Sequence, residues 1–251
     1  MSNLILHCGA VPMSYDQLRS MNKVHYTPLS PTHRPVPHHE VVDMVKQSLN
    51  KHTDYSIVSQ QYGVSGKKGT ELFALLNLRK DGDTQKDYEM FIGFRHSNQM
   101  RFAFKLGIGD KFFICDNLAW DSEHEIRGTK HTLNINSTAQ LRVDELTKDV
   151  LPMETKIHER NERYRRVIIP YKVSDHLIME LVRQKAIPKT KVTVIDAEYK
   201  RPSYDYSTHG SSLLDLKHAC THVAKGSFYT DQIKRSKVMH KVFDEYIGLS
   251  A

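Results

Sequence analysis

Hydrophobic and polar positions alternate through the first half of the chain and recur at helical spacing through the second, with the change near residue 137. DYSIVSQQYGV (54–64) and ELFALLNLRK (71–80) are rich in strand-forming residues and flank SGKKGT, a glycine-bearing turn, so they predict a hairpin. A second turn, DGDTQKD, leads to YEMFIGFR (88–95). The pattern continues through RFAFKLGI, a tight Gly109-Asp110 turn, KFFICDNLAW and EIRGTKHTLNI. Five or six strands on such short connections predict an antiparallel meander, because parallel neighbours need crossovers of about a dozen residues or more. LILHC near the start predicts one further short strand.

Between these strands, SYDQLRSM predicts a helix of one or two turns. Pro28, Pro31, Pro35 and Pro37 exclude a helix and predict an extended arm. The arm ends at HHEVVDMVKQSLNK, a helix with Val41, Val42, Val45 and Leu49 on one face. After residue 137, TAQLRVDELTKDVL puts Leu141, Leu146 and Val150 on one side, and Pro152 should end or kink it. SDHLIMELVRQ is amphipathic, with Ser174 placed to cap it. SSLLDLKHACTHVAKG and YTDQIKRSKVMHKVFDEYI predict two closing helices, whose stripes Leu213/Leu216/Cys220/Val223 and Val238/Val242 read as core or oligomer contacts. KTKVTVIDAEYKRP fits a strand or a helix. The fold class expected is α+β in a single domain, 1–251: a sheet-rich part with one helix (1–136) and a helical part packing on it (137–251).

The 251 residues suffice for a substantial core, and 39% hydrophobic with 26% charged residues is ordinary for a globular chain. No apolar run reaches about 18 residues, and no basic segment precedes the brief apolar patch at the start, so neither a membrane span nor a secretory signal is expected. Cys8, Cys115 and Cys220 are scattered without CxxC spacing, which argues against a disulfide framework and suits a reducing cytoplasm. The net charge of +7 changes the picture more, because excess cations are the electrostatic prerequisite for binding a phosphate backbone.

Candidate chemistry gathers at turns and strand ends. Arg95, His96, Ser97, Asn98 and Arg101 lie between two strands; Arg offers a bidentate fork, Ser and Asn short hydrogen bonds, and Phe94 and Phe102 surfaces for base stacking. The bland alternative is a polar turn with its aromatics in the core. Asp116 and Asn117 follow Cys115 at an expected strand end, where they would satisfy turn donors or supply a metal-binding or acid–base carboxylate. His38, His39 and Glu40 open a helix; adjacent histidines point about 100° apart, so capping competes with a mixed metal site of His38 or His39, His131 and Asp116. Arg127, Lys130 and His131 form a basic cluster. In KIHERNERYRR, Glu159 and Glu162 interleave with Lys156, Arg160, Arg163, Arg165 and Arg166, the spacing of ion pairs on a solvated face. Phosphate-loop, nucleophile-elbow and zinc-knuckle signatures are absent from the sequence, and GIGD at 107–110 lacks the helix a dinucleotide fingerprint needs.

LHCGA, VPHHEVVDMVK, GFRHS, GDKFFICDNLAW and KHT, in that order, resemble the phage/plasmid-like proteins, a domain-of-unknown-function family of phages, plasmids and prophages. The resemblance spans essentially the whole chain. Family members tend to read Arg-Asn-Ser-His-Asp where this chain has Arg95-His96-Ser97-Asn98-Gln99, so the acid is lost. In the family's Trp-x-Leu-Phe-Asn-Ala-x-Thr motif, Leu213 and His218 replace the Trp and Asn, while Ala219 and Thr221 are kept. The resemblance implies a mobile-element gene acting in the bacterial host cytoplasm, and no established reaction. The expected function is nucleic-acid binding without evident catalysis, through Arg95, His96, Ser97, Asn98, Arg101, Asn117, Arg127, Lys130 and His131, with no cofactor and no membrane partner, and with room for a homo-oligomer. Two alternatives stand beside it: a metal-assisted hydrolase or nuclease using Asp116 and histidines, and a protein that sequesters a host defence factor.

Overall fold

In the computed structural model of the protein, residues 10–21, 28–80, 88–112, 121–125, 129–203, 211–223 and 229–248 are described. The expected strand LILHC, and residues 113–120 of KFFICDNLAW with Cys115, Asp116 and Asn117, lie outside them, as does Arg127. The fold is α+β: an antiparallel sheet in the first half and a mainly helical second half. The chain forms two compact units, Met1–Asp110 with His124–Met153, and Lys111–Glu123 with Glu154–Ala251.

In the first unit, β1 (Val11–Met13) leads to α1 (Tyr15–Ser20), held by a capping box between Ser14 and Gln17. The proline arm then enters α2 (His38–His52), whose Val41, Val42, Val45 and Leu49 are all buried, as their spacing predicts. β2 (Tyr55–Ser65) and β3 (Glu71–Lys80) form the predicted hairpin, pairing Ser65 with Glu71 and Tyr55 with Lys80. The tip between them needs the left-handed backbone of Gly66 (φ 76°) and Gly69 (φ 68°). β4 (Tyr88–Ser97) pairs with β3, and β5 (Lys105–Phe112) and β6 (Asp121–Glu125) follow in the sheet order β1-β2-β3-β4-β5-β6. β3 is buried along most of its length, Leu72, Ala74, Leu75, Leu76 and Leu78 included, because its near-continuous apolar run leaves no face for water.

Three expectations fail here. Gly109-Asp110 is not a turn but lies within β5, whose Leu106 and Ile108 anchor it in the core. The segment 129–135 is not a strand: Thr129 makes one bridge to Phe104, and the chain then turns into α3 (Ile135–Lys148). On α3 the buried residues include Ile135, Ala139, Val143 and Leu146, whereas Leu141 is 64% exposed; five residues separate Leu141 from Leu146, too many for one helical face. Packing of α2 on α3 is fixed by Ser48, whose hydroxyl donates to Asp144 Oδ1 at 2.5 Å and meets Thr147 Oγ1 at 2.7 Å.

α3 ends before Pro152, and α4 (Val150–Arg166) begins with that proline in its first turn, where the missing N–H costs nothing. The second unit continues with α5 (Tyr171–Arg183), α6 (Val192–Lys200), α7 (Leu213–Val223) and α8 (Tyr229–Tyr246). Residues 189–202, left open by the sequence, are mainly helical. Ser174 does not cap α5; the helix starts a turn earlier, and the Ser174 hydroxyl donates to the Tyr171 carbonyl at 2.8 Å. α7 is buried almost all round: Leu213, Leu214, Leu216, Ala219 and Cys220 are joined in the interior by Asp215, Lys217 and His218. Asp215 and Ser212 cap one another's backbone N–H groups, and Lys217 Nζ donates to Asn161 Oδ1 at 3.0 Å. Burial pushes the Cys220 thiol up to about 12, so it behaves as an apolar group. The α4 run behaves as a solvated, paired face: Arg165 meets Glu162 at 2.8 Å and Arg160 meets Asp244 at 3.6 Å. No helix among the described residues is long and apolar enough to cross a membrane.

Candidate nucleic-acid interface

One end of the first unit's sheet collects most of the described candidates. There the β2–β3 tip, the turn after β4 and the proline arm meet, and buried polar side chains tie them together. Asn98 is the clamp. Its Oδ1 accepts the Val36 N–H and its Nδ2 donates to the Val36 carbonyl, each at 2.8 Å, while its own N–H donates to the Thr70 carbonyl at 2.9 Å. One amide thus satisfies an arm residue that could not reach a strand, between prolines that offer no N–H of their own. The arm is pinned again where the Arg34 N–H meets the His131 carbonyl at 3.2 Å.

Behind the clamp runs a chain of imidazoles. His38 Nε2 lies 2.8 Å from the Gly69 carbonyl, His38 Nδ1 lies 2.6 Å from His96 Nε2, and His96 Nδ1 lies 3.2 Å from His131 Nε2. A carbonyl only accepts, so His38 carries its proton on Nε2 and must accept at Nδ1. His96 then donates from Nε2 and, when neutral, accepts at Nδ1 from His131 Nε2. Three neutral rings in the same tautomer satisfy all three contacts, and the chain ends at His131 Nδ1. That atom is buried without a hydrogen bond of ordinary geometry.

The rings are held neutral by their surroundings. Burial, reinforced by His38 and His131, drives His96 well below the ordinary histidine range. Burial lowers His131 to about 4, with His33 adding to the shift and the nearby Arg34 backbone opposing it in part. Burial also lowers His33, whose Nδ1 accepts the Leu29 N–H at 3.0 Å and whose ring centre lies 6.1 Å from that of His131.

This geometry suits a relay of hydrogen bonds better than a metal. His96 turns its two nitrogens to different neighbours, so the three rings cannot converge on one ion. Among the described residues no His, Cys, Asp and Glu group has a metal-holding arrangement. His39 is half-buried and takes no part in the chain, and Asp116 lies outside the described residues.

The expected contact residues therefore divide. His96, Ser97, Asn98 and His131 are 0–3% exposed and serve the interior rather than an outer face. β4 is buried from Met90 through Phe94, on both of its faces, and the buried stretch resumes after the half-buried Arg95 at His96, Ser97 and Asn98. Arg95 is half-buried, its guanidinium carbon 4.9 Å from the centre of the Phe102 ring; Phe94 is in the core. Arg101 and Lys130 are exposed. Arg101 reaches back 2.7 Å to Glu71, a buried carboxylate whose other oxygen accepts from Ser65 at 2.7 Å. Sequence reading missed the arm's exposed Arg34 and the tip's exposed Lys67 and Lys68, although two lysines between glycines at a hairpin tip are a visible signal. No ion pair is made by Arg34, Lys67, Lys68 or Lys130 among the described residues.

No family model, curated protein or solved structure matches the chain.

Proposed function

We propose that the chain binds nucleic acid through this end of its sheet, with Arg34, Lys67, Lys68 and Lys130 meeting phosphates and the Glu71-paired Arg101 and the Arg95–Phe102 pair beside them. The observation that carries the reading is the gathering of unpaired cations on backbone that Asn98 and the histidine chain hold rigid. Surface cations normally gain a little by pairing with acids; a group left unpaired at one place is suited to an incoming polyanion. Rigid support lowers the ordering cost of binding. In the setting implied by the resemblance to phage- and plasmid-borne proteins, the ligand would be the nucleic acid of a mobile element or its host.

The experiment is charge reversal. Lys67→Glu/Lys68→Glu/Lys130→Glu should weaken binding of a labelled oligonucleotide by roughly 10- to 100-fold at low salt, from the loss of phosphate contacts. Lys172→Glu, on the surface of the second unit, should leave it unchanged. Equal affinities for the two variants contradict the assignment.

A further inference from the structure

At the opposite end of β2 and β3, roughly 30 Å along strands of this length, lies a different basic feature. The start of β2, the end of β3 and the last turns of α2 and α3 enclose a hollow of about 300 Å3, lined among others by Lys51, His52, Thr53, Asp54, Lys80 and Lys148. The three lysines come from three separate elements; Asp54 lines the same hollow, and Asp144 lies behind His52. None of the three makes a close ion pair among the described residues, although Lys51 is near enough to Asp144 to help lower its carboxyl. Helix ends account for part of this charge: Lys51 and Lys148 sit in the final turns of α2 and α3, where cations complement the exposed carbonyls. Lys80 has no such explanation, because it ends a strand.

The wall of the hollow also holds an imidazole that is only loosely paired with a carboxylate. His52 Nε2 lies 3.6 Å from Asp144 Oδ1, beyond hydrogen-bond reach, and is buried without a hydrogen-bond partner. Asp144 is already occupied by the Ser48 hydroxyl at 2.5 Å and the Gln140 amide at 2.8 Å. Thr53 places its hydroxyl on the Leu49 carbonyl at 2.8 Å, which closes the end of α2 and removes an acceptor that would repel an anion.

We propose that this hollow binds a polyphosphate group, free or carried by a nucleotide, with Lys80, Lys148 and Lys51 neutralising its charge and His52 contributing a ring nitrogen. The volume is at the lower bound of ligand pockets and suits a diphosphate or a small nucleotide. The inference is independent of the interface at the other end of the sheet, since it uses none of the same residues.

The test uses thermal unfolding of the full chain with inorganic pyrophosphate, ADP and adenosine, each against sodium chloride of equal ionic strength, with 31P line broadening of pyrophosphate as a second readout. Pyrophosphate and ADP should raise Tm saturably and adenosine should not. Lys80→Gln/Lys148→Gln should abolish both the shift and the broadening, whereas Lys67→Gln/Lys68→Gln should keep them. A wild-type shift no larger than that given by salt overturns the proposal. So does a shift that survives in Lys80→Gln/Lys148→Gln, or one lost in Lys67→Gln/Lys68→Gln, which would move the anion to the other end. Should Lys80→Gln/Lys148→Gln lose its fold, Lys80→Gln alone, read by 31P broadening, decides the matter.

Discussion

Asn98→Ala should destabilise the protein by about 3–5 kcal/mol, a large share of a total stability of the order of 5–15 kcal/mol. The side chain is 2% exposed and spans Val36, itself 4% exposed, with an acceptor and a donor at 2.8 Å each. Truncation leaves the Val36 N–H and carbonyl buried and unmatched, each at about 1–3 kcal/mol, and adds a small cavity. Asn98→Asp is informative beside it: the carboxylate still accepts the Val36 N–H but faces the Val36 carbonyl with no proton to give, so it too should lose stability near neutral pH. Urea unfolding measures the loss, and hydrogen exchange at the Val36 amide localises it. A cost under about 1 kcal/mol would mean that the arm is held by something other than this amide.

Acid should weaken the protein before its carboxylates titrate. His131 has a folded value of about 4 against an ordinary 6.5, so between these values the unfolded chain binds a proton that the folded chain refuses. Its stabilising contribution is complete above about pH 6.5 and is lost as pH falls toward 4. At about 1.4 kcal/mol for each pH unit between the two values, the loss is about 3 kcal/mol. His96, lowered by its burial and by both histidine neighbours, and His33, lowered by burial, push in the same direction. Urea midpoints at pH 7.5, 6 and 5 should therefore fall steadily. His131→Gln, whose amide can still donate to His96, should be less stable at pH 7.5 and show a flatter decline. A wild-type midpoint constant from pH 7.5 to 5, or an unchanged slope in the variant, would contradict the neutral chain.

The sheet, the hairpin and the helices were legible because each rests on a local signal: the valines and Leu49 of α2, the short apolar run of β4 and the glycines of the β2–β3 tip. What failed depended on tertiary context. Gly109-Asp110 has the composition of a turn, yet the apolar anchors before it and sheet pairing keep β5 extended. Ser174 has the identity of a cap, but the helix extends back to Tyr171 and leaves the hydroxyl a helical carbonyl to bond. At the candidate site, the sequence singled out residues 95–98 and mistook their direction. Residues 96–98 read as a polar turn facing solvent, whereas the strand before them is buried on both faces and carries His96, Ser97 and Asn98 into the interior. Nothing local could reveal their partners, since Val36, His38 and His131 are brought to them only by folding, across sequence separations of 62, 58 and 35 residues.

The central claim is that unpaired cations at the Gly66–Gly69 end of the sheet neutralise phosphates, and the salt dependence of oligonucleotide binding tests it most directly. Each neutralised phosphate contributes roughly 0.7 to the slope of log K against log salt for single strands and 0.9 for duplex. Arg34, Lys67, Lys68 and Lys130 together then predict a slope of about −3 to −4, measurable by fluorescence anisotropy from about 50 to 300 mM salt. A slope in that range, halved or more in Lys67→Glu/Lys68→Glu, is the result the account predicts; no binding at about 50 mM salt, or a slope near zero, would contradict it.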